Sequence, residues 1–261
     1  VRDVLRVDTE RREVFFIAAG IAEAENTYIT KPCIASLDGG VRILSASPGE
    51  HVVWRPGSMT LLGKVFDGLD AEKISGLSPD GAYFIETIST VSDLPTTRLC
   101  DRDGKEIALL ETGTGDLPDG WQYPEPVECI AADGITRIHG LLFKPFGHEP
   151  GKKYPLIDQI YGGPQVNYVP HASFADGGLG AGSYLDAMHL SSLGAYVLIL
   201  DGRGTANREQ AFRTASYRAA QSASNLEDHV AAIRQLAERT GEIDLDRVGI
   251  TGFSGGGYIT A

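Results

Sequence analysis

The sequence contains few cysteines, which limits the kinds of site that it can build. Only three occur among 261 residues, at positions far apart: Cys33, Cys100 and Cys129. Zinc sites and redox motifs need cysteines only a few residues apart, so neither is predicted. We expect buried or edge-lying thiols, with a disulfide to a cysteine upstream of Val1 as the alternative.

The chain is also poor in histidine and in positive charge. Its six histidines, none spaced like a pair of metal ligands, are His51, His139, His148, His171, His189 and His229. We therefore expect no metal and no other cofactor. The formal net charge of -12 argues against nucleic acid as a partner, because phosphate binding needs a basic face.

Long apolar runs are missing as well. No run approaches the ~18 residues of a membrane-spanning helix. The chain begins at Val1 without a methionine, so any signal peptide or anchor is expected upstream. Secreted, periplasmic and cytoplasmic locations therefore all stay open.

Residues 1 to about 122 have the pattern of short strands separated by turns. The clearest apolar runs are 14–18, 41–44, 82–86 and 107–110, with Asp-Gly steps at 38–39, 80–81 and 103–104. Asp-Gly between apolar runs is typical of hairpins, because both residues tolerate positive φ. The pattern favours blades of a β-propeller, with a repeat of about 40 residues, only slightly over a β-sandwich.

From about residue 123 onward, strands and helices alternate. Strands are predicted at 127–131, 137–143, 155–160, 195–200 and 247–251, and helices at 183–193 and 225–239. Such alternation is typical of an α/β sheet. The sequence thus predicts two domains, 1–122 and 123–261.

The second predicted helix has clear end signals. Ser224 and Glu227 have the spacing of a capping box, and Gly241 stands where a C-terminal cap belongs. The predicted apolar stripe of this helix consists of Leu226, Val230, Ile233 and Ala237. We expect this stripe to face the sheet.

The most informative motif is Gly252-Phe253-Ser254-Gly255-Gly256, directly after the segment 247–251. It has the G-x-S-x-G form of a nucleophile elbow, a tight strand-to-helix turn that exposes a serine. Gly252 and Gly256 are predicted to let the backbone pass close to its neighbours. The alternative is an inert serine in a Gly-rich turn. A preceding buried strand, which we expect at 247–251, favours Ser254 as a nucleophile.

A second motif, Tyr161-Gly162-Gly163-Pro164, directly follows the predicted strand 155–160. In this architecture the loop after the third strand contributes to the oxyanion hole. We predict that the Tyr161 hydroxyl and the backbone N–H of Gly255 are the oxyanion donors. An ordinary packed aromatic is the alternative for Tyr161.

A third motif, Asp201-Gly202-Arg203-Gly204, follows the predicted strand 195–200. Its glycine spacing and lack of lysine do not fit a phosphate-binding loop. We expect Arg203 to brace the site from outside the chemistry, by pairing with a carboxylate or with carbonyls.

None of the histidines is a good candidate for the catalytic base. All six precede Ser254, whereas the triad order in this hydrolase architecture is serine, acid, histidine. His229 falls off the predicted apolar stripe and is expected on the surface. The triad aspartate and histidine are expected downstream of Ala261, and this chain alone is expected to be inactive.

With these motifs, the chain resembles the prolyl oligopeptidase family, specifically its dipeptidyl peptidase IV-like branch. The segments that carry the resemblance are 78–84, 154–164, 201–204 and 252–258. The resemblance implies the last blades of an all-β propeller, followed by an α/β-hydrolase domain that is truncated after the nucleophile elbow. It also implies a peptide substrate with a free N-terminus, held by two glutamates that would lie upstream, and a possible homodimer.

Two positions depart from many members of that family. Gly255 stands where many have an aromatic residue, and Glu209 stands where many have glycine. The first departure weakens a prediction of strict post-proline specificity.

Our main hypothesis is a serine exopeptidase that removes dipeptides. The alternatives are an acylaminoacyl peptidase or esterase, and a non-catalytic peptide-binding relative.

Overall fold

The computed structural model describes residues 1–22, 25–53, 75–173, 179–218 and 225–261, with the backbone alone for 179–181. The chain divides into two compact units. The first comprises Val1–Thr114 and His171–Gly178, and the second comprises Gly115–Pro170 and Leu179–Ala261. The domain boundary near residue 122 stays a prediction. Ser224 of the predicted capping box lies outside the described residues.

The first unit contains two four-stranded antiparallel sheets, each with its strands in chain order. The first sheet consists of β1 (Asp3–Asp8), β2 (Glu13–Ala19), β3 (Thr30–Ser36) and β4 (Val41–Ile43). The second consists of β5 (Glu50–Val52), β6 (Tyr83–Ser89), β7 (Thr96–Asp101) and β8 (Glu106–Thr112). These elements confirm the four strands predicted for this region.

Apolar side chains from both of these sheets share one core. Phe15 on β2 and Phe84 on β6 pack with ring centroids 5.4 Å apart. Ile34 and Cys100 are buried in the same cluster. Because alternate residues of a strand point to opposite faces, each strand can place part of its apolar residues in this core.

A charged cluster is buried in the same unit. Glu86 on β6 is fully buried and accepts hydrogen bonds from His51 Nδ1 at 2.7 Å and Arg98 Nε at 2.8 Å. Burial raises the pKa of Glu86, but the bonds from His51 and Arg98 outweigh burial and lower it below its usual range. A buried charge persists only when it is paired, so these groups depend on one another.

All three cysteines are buried thiols, as predicted, and none forms a disulfide with another. Burial raises the pKa of Cys33 to about 11 and that of Cys100 to about 12. Reactive cysteines have a lowered pKa and partial exposure, so these thiols are structural.

The second unit is built on a mixed five-stranded sheet with the order β13-β11-β12-β10-β9. Its strands are β9 (Glu125–Ile130), β10 (Arg137–Phe143), β11 (Tyr154–Gln159), β12 (Tyr196–Asp201) and β13 (Ile243–Thr251). Strand β10 is antiparallel to β9 and β12, whereas β11 is parallel to β12 and β13. The carboxyl ends of the three parallel strands lie at one edge of the sheet, where ligands bind in open α/β sheets.

Four helices of this unit are described: α1 (Leu179–Ser191), α2 (Gln210–Thr214), α3 (Leu226–Thr240) and α4 (Gly255–Thr260). Gly241 has a φ of 67° and donates its N–H to the carbonyl of Ala237 at 3.0 Å, which confirms the predicted cap of α3. The predicted stripe is wrong in part, because Val230 is 39% exposed while Asp228 and His229 are buried. Charged partners, described below, hold these two polar side chains on the buried face.

The expectation that residues 247–251 form a buried strand is wrong. They belong to β13, but residues 245–250 of that strand are exposed. Within the described ranges, β13 pairs only with β11, so it is the edge strand of the sheet. The strand β12 at the centre is buried along its whole length, as predicted for 195–200.

In the described parts of the chain, no helix is both long enough and apolar enough to cross a membrane.

Leu198→Ala is expected to destabilise the second unit by about 2–5 kcal/mol, because it leaves a cavity in a packed core. Leu198 on β12 is 0% exposed and packs in a cluster with Leu156 and Ala232. Leu193, which is 76% exposed, supplies the matched control, since Leu193→Ala should cost less than about 0.5 kcal/mol. Urea unfolding of both variants measures the difference. Equal midpoints would contradict the assignment of β12 to the core.

Candidate active site

The backbone at Ser254 has an unusual conformation. Its φ is 52° and its ψ is -112°, between the end of β13 and the start of α4. A non-glycine residue in such a sparsely populated region costs on the order of 1–3 kcal/mol, and such strain is concentrated at functional sites. The residue is exposed, so the turn presents its hydroxyl at the carboxyl edge of the sheet.

Two glycines make this turn possible through close packing. A Cβ on Gly252 would lie 2.4 Å from the carbonyl carbon of Gly256, and a Cβ on Gly256 would lie 2.1 Å from the carbonyl oxygen of Ile160. Real Cβ atoms do not approach other atoms so closely, so both positions need glycine. At Gly255 the nearest atoms would be 3.6 Å away, an ordinary contact.

Tyr161 lies directly beside the elbow. Its Cζ and hydroxyl oxygen are both 3.6 Å from the position that a Cβ of Gly255 would occupy. Gly255 is the first residue of α4, so its N–H has no partner within the helix. The structure therefore brings Tyr161, Ser254 and Gly255 together. Their roles as oxyanion donors and nucleophile stay predictions.

The ring of Tyr161 is held by a second tyrosine. The rings of Tyr161 and Tyr168 stack, with centroids 5.0 Å apart and an interplanar angle of 26°. The Tyr168 hydroxyl accepts a hydrogen bond from Gln159 Nε2 at 3.0 Å, and its backbone N–H donates to Asp201 Oδ1 at 2.8 Å. The position of Tyr161 thus depends on residues at the ends of β11 and β12.

Asp201, the last residue of β12, is a fully buried carboxyl group. It accepts backbone N–H bonds from Tyr168 at 2.8 Å and Val169 at 3.3 Å. Burial raises the pKa of Asp201 to about 6, and these hydrogen bonds oppose that rise. The carboxyl group therefore orders the loop that carries Tyr168.

Arg203 is paired with two carboxylates. Its Nη2 lies 2.8 Å from Asp228 Oδ1 and its Nη1 lies 3.0 Å from Asp133 Oδ2. Asp228 also accepts the backbone N–H of Arg203 at 2.8 Å and that of Ala132 at 2.9 Å. The hydrogen bond to Asp228 raises the pKa of Arg203. Through Asp228, helix α3 ties together the loop after β12 and the turn after β9.

The expectation that His229 lies on the surface is wrong. The residue is 0% exposed, and its Nδ1 lies 2.8 Å from Oδ1 of Asp158, near the carboxyl end of β11. Its carboxylate partner makes burial of this polar ring tolerable. The pair is not placed as a base for Ser254, since the ring nitrogens of His229 contact Asp158 and Asn225.

The sequence motifs did not identify three residues that support the site: Asp158, Asp228 and Asn225. Asp158 could have been identified from the sequence, because a carboxylate in a buried strand needs a buried partner. Asn225, just before α3, donates from Nδ2 to the carbonyl of Tyr161 at 2.8 Å. No sequence signal pointed to that contact, since the two residues are 64 positions apart.

Within the described ranges, no group of three or more His, Cys, Asp or Glu side chains could hold a metal ion. A cavity of about 230 Å³ opens beside Gly255, with Gly163, Gln165, Ser216 and Tyr258 in its lining.

Asp201→Asn is expected to remove part of the pH dependence of stability. The folded-state pKa of about 6 exceeds the ordinary value of 3.8, so between these values the folded protein holds a proton that the unfolded chain has released. The stabilising contribution of Asp201 is therefore full below about pH 4 and is lost as the pH rises through 6.

Unfolding midpoints of the wild type and Asp201→Asn, measured at pH 4 and pH 7.5, test this. At pH 4 the wild type should have a higher unfolding midpoint than Asp201→Asn, and this difference should disappear at pH 7.5. For the exposed control Asp246→Asn, the difference from the wild type should be the same at both pH values. A wild-type advantage that is the same at both pH values would contradict the raised pKa.

Comparison with known proteins points to one family. Residues 183–261 match the prolyl oligopeptidase family. Human dipeptidyl peptidase 8 is 37% identical over 175 residues, which cover 66% of this chain and 18% of that protein. Human prolyl endopeptidase FAP is 34% identical over 187 residues, which cover 70% of this chain and 23% of that protein. The chain thus spans about a fifth of the length of these relatives.

A crystal structure from Bacteroides ovatus, provisionally assigned as a dipeptidyl aminopeptidase IV, is also similar. It superposes with a TM-score of 0.71 at 27% sequence identity, and the match covers 99% of this chain and 32% of that one.

The family and this neighbour imply a β-propeller combined with an α/β-hydrolase domain. The four-stranded antiparallel sheets of the first unit and the mixed sheet of the second are the corresponding elements. The resemblance seen in the sequence motifs is confirmed, and the chain belongs to the prolyl oligopeptidase family, in which it resembles the dipeptidyl peptidases.

Proposed function

We propose that this protein is a serine peptidase and that Ser254 is its nucleophile. The observation that carries the proposal is the strained backbone of Ser254, at a turn that places Tyr161 and Gly255 beside it. An inert serine would gain nothing from a conformation that costs stability.

In the proposed reaction, Ser254 Oγ attacks the carbonyl carbon of the scissile peptide bond while a base takes the hydroxyl proton. The resulting oxyanion accepts hydrogen bonds from the Gly255 N–H and the Tyr161 hydroxyl. Collapse of the tetrahedral intermediate releases the amine product, which takes up the proton. Water then attacks the acyl-enzyme and releases the acid.

The base is proposed to be a histidine that follows Ser254 in the encoded protein, with an aspartate that orients it. Two considerations support this. The ring nitrogens of the buried His229 contact Asp158 and Asn225, and α/β hydrolases place their triad in the order serine, acid, histidine. These 261 residues alone are therefore proposed to be inactive.

For the substrate, we propose peptides with a free N-terminus, from which a dipeptide ending in proline or alanine is removed. The similarity to a dipeptidyl peptidase over 66% of the chain supports this class. The similarity to a protein named prolyl endopeptidase favours an endopeptidase as the second candidate.

Ser254→Ala in the full-length encoded protein is expected to abolish peptidase activity and labelling by a fluorophosphonate. The reason is that both reactions need the serine oxygen as nucleophile. Ser192→Ala is the matched control, because Ser192 is exposed and lies outside the site. Peptidase activity retained in Ser254→Ala would exclude this serine. A wild-type protein that takes no label would favour a non-catalytic relative.

The same preparation should cleave a chromogenic Xaa-Pro or Xaa-Ala substrate with a free amine and leave its acetylated form intact. Turnover of the acetylated form alone would contradict the dipeptidyl peptidase function and would indicate an acylaminoacyl peptidase or esterase. Cleavage inside longer blocked peptides would favour the endopeptidase.

Tyr161→Phe is expected to lower kcat by about 100-fold or more with little change in KM, because the lost hydroxyl would donate only to the developing oxyanion. Steady-state kinetics measure this, with Tyr217→Phe as control because Tyr217 is 73% exposed. An unchanged kcat would make Tyr161 a packing residue.

A further inference from the structure

Asn225 lies between the two motif loops that follow β11 and β12. Its side chain is 1% exposed, and Nδ2 donates to the carbonyl of Tyr161 at 2.8 Å. A Cβ on Gly162 would lie 3.0 Å from Asn225 Oδ1, and a Cβ on Gly202 would lie 2.8 Å from Asn225 Cβ. The absence of a side chain at both glycines therefore makes room for Asn225.

Asn225 does not do what asparagine usually does before a helix. It is the N-cap residue of α3, where a side-chain oxygen normally accepts an N–H of the first turn. Here the side chain makes no cap bond, and Oδ1 is buried without a partner among the described groups. The residue thus loses helix stabilisation while its amide points to Tyr161.

A buried pair lies behind the amide. His229 Nε2 is 3.5 Å from Asn225 Nδ2, a long contact, and His229 Nδ1 is 2.8 Å from Asp158 Oδ1. If Nδ1–H donates to the carboxylate, Nε2 is left as an acceptor that faces the second hydrogen of Nδ2. The bond to the Tyr161 carbonyl and this longer contact together favour the orientation in which Nδ2, and not Oδ1, faces Tyr161 and His229.

We propose that Asn225 is a positioning residue for the reaction, which holds the main chain of Tyr161 so that its hydroxyl stays beside Gly255. The inference rests on the proposed role of Tyr161 in the oxyanion hole. His229 and Asp158 support it by orienting the amide of Asn225. Asn225 does not touch the reacting atoms and acts through Tyr161.

The test uses the full-length encoded protein, with kcat expressed per serine titrated by a fluorophosphonate so that unfolded molecules are not counted. Asn225→Ala is expected to lower kcat by about 10- to 100-fold with KM changed less than about threefold, since a misplaced group costs rate rather than binding. Asn225→Asp, which has the same shape without the N–H donors, should give a similar loss. Glu227→Gln, an exposed change on the same helix, should give none.

A double-mutant cycle decides whether Asn225 acts through the Tyr161 hydroxyl. In the Tyr161→Phe background, Asn225→Ala should lower kcat by less than about threefold, because the hydroxyl that it positions is already gone. If Asn225→Ala lowers kcat by the same factor in the Tyr161→Phe background as in the wild type, the inference is overturned while Tyr161 keeps its role. An unchanged kcat in both Asn225 variants overturns it as well. If Tyr161→Phe alone leaves kcat unchanged, the oxyanion proposal itself fails, and the positioning role fails with it.

Discussion

The site depends on how closely the elbow packs against the end of β11. The carbonyl of Ile160 lies so near Gly252 and Gly256 that neither position can carry a side chain. This contact forces a tight turn, which in turn leaves Ser254 in a strained and exposed conformation. The same contact places Tyr161, the next residue after Ile160, beside Gly255. One steric constraint therefore brings the proposed nucleophile and both proposed oxyanion donors together.

Buried carboxylates hold the loops around this contact. Asp201 binds the backbone that carries Tyr168, and Asp228 binds the backbone of Arg203. Asp158 pairs with His229 beneath Asn225. Backbone N–H groups of the loops donate to Asp201 and Asp228, and these bonds hold the loops in place. The polar interior beneath the sheet edge thus pre-organises the site.

Local chemistry made much of the fold predictable. Gly241, β12 and the elbow could be recognised because a left-handed cap, a strand covered on both faces and a tight turn each need particular residue types nearby in sequence. The prediction was wrong where burial depends on a distant partner. Periodicity treated His229 as a surface residue, because nothing near it in sequence reveals Asp158. The exposure of β13 depends on which strands lie beside it, and the residues of β13 alone do not reveal those neighbours.

The sequence by itself determined the motifs: a serine in a Gly-flanked turn, a tyrosine at one strand end and an arginine loop at another. These properties are local, because they rest on backbone freedom and side-chain type. Only the tertiary structure decided that the three loops meet at one edge, that Gly252 and Gly256 are sterically required while Gly255 is not, and that Asn225 joins two loops. Such contacts depend on parallel strand order and packing distance, which arise only when the chain is folded.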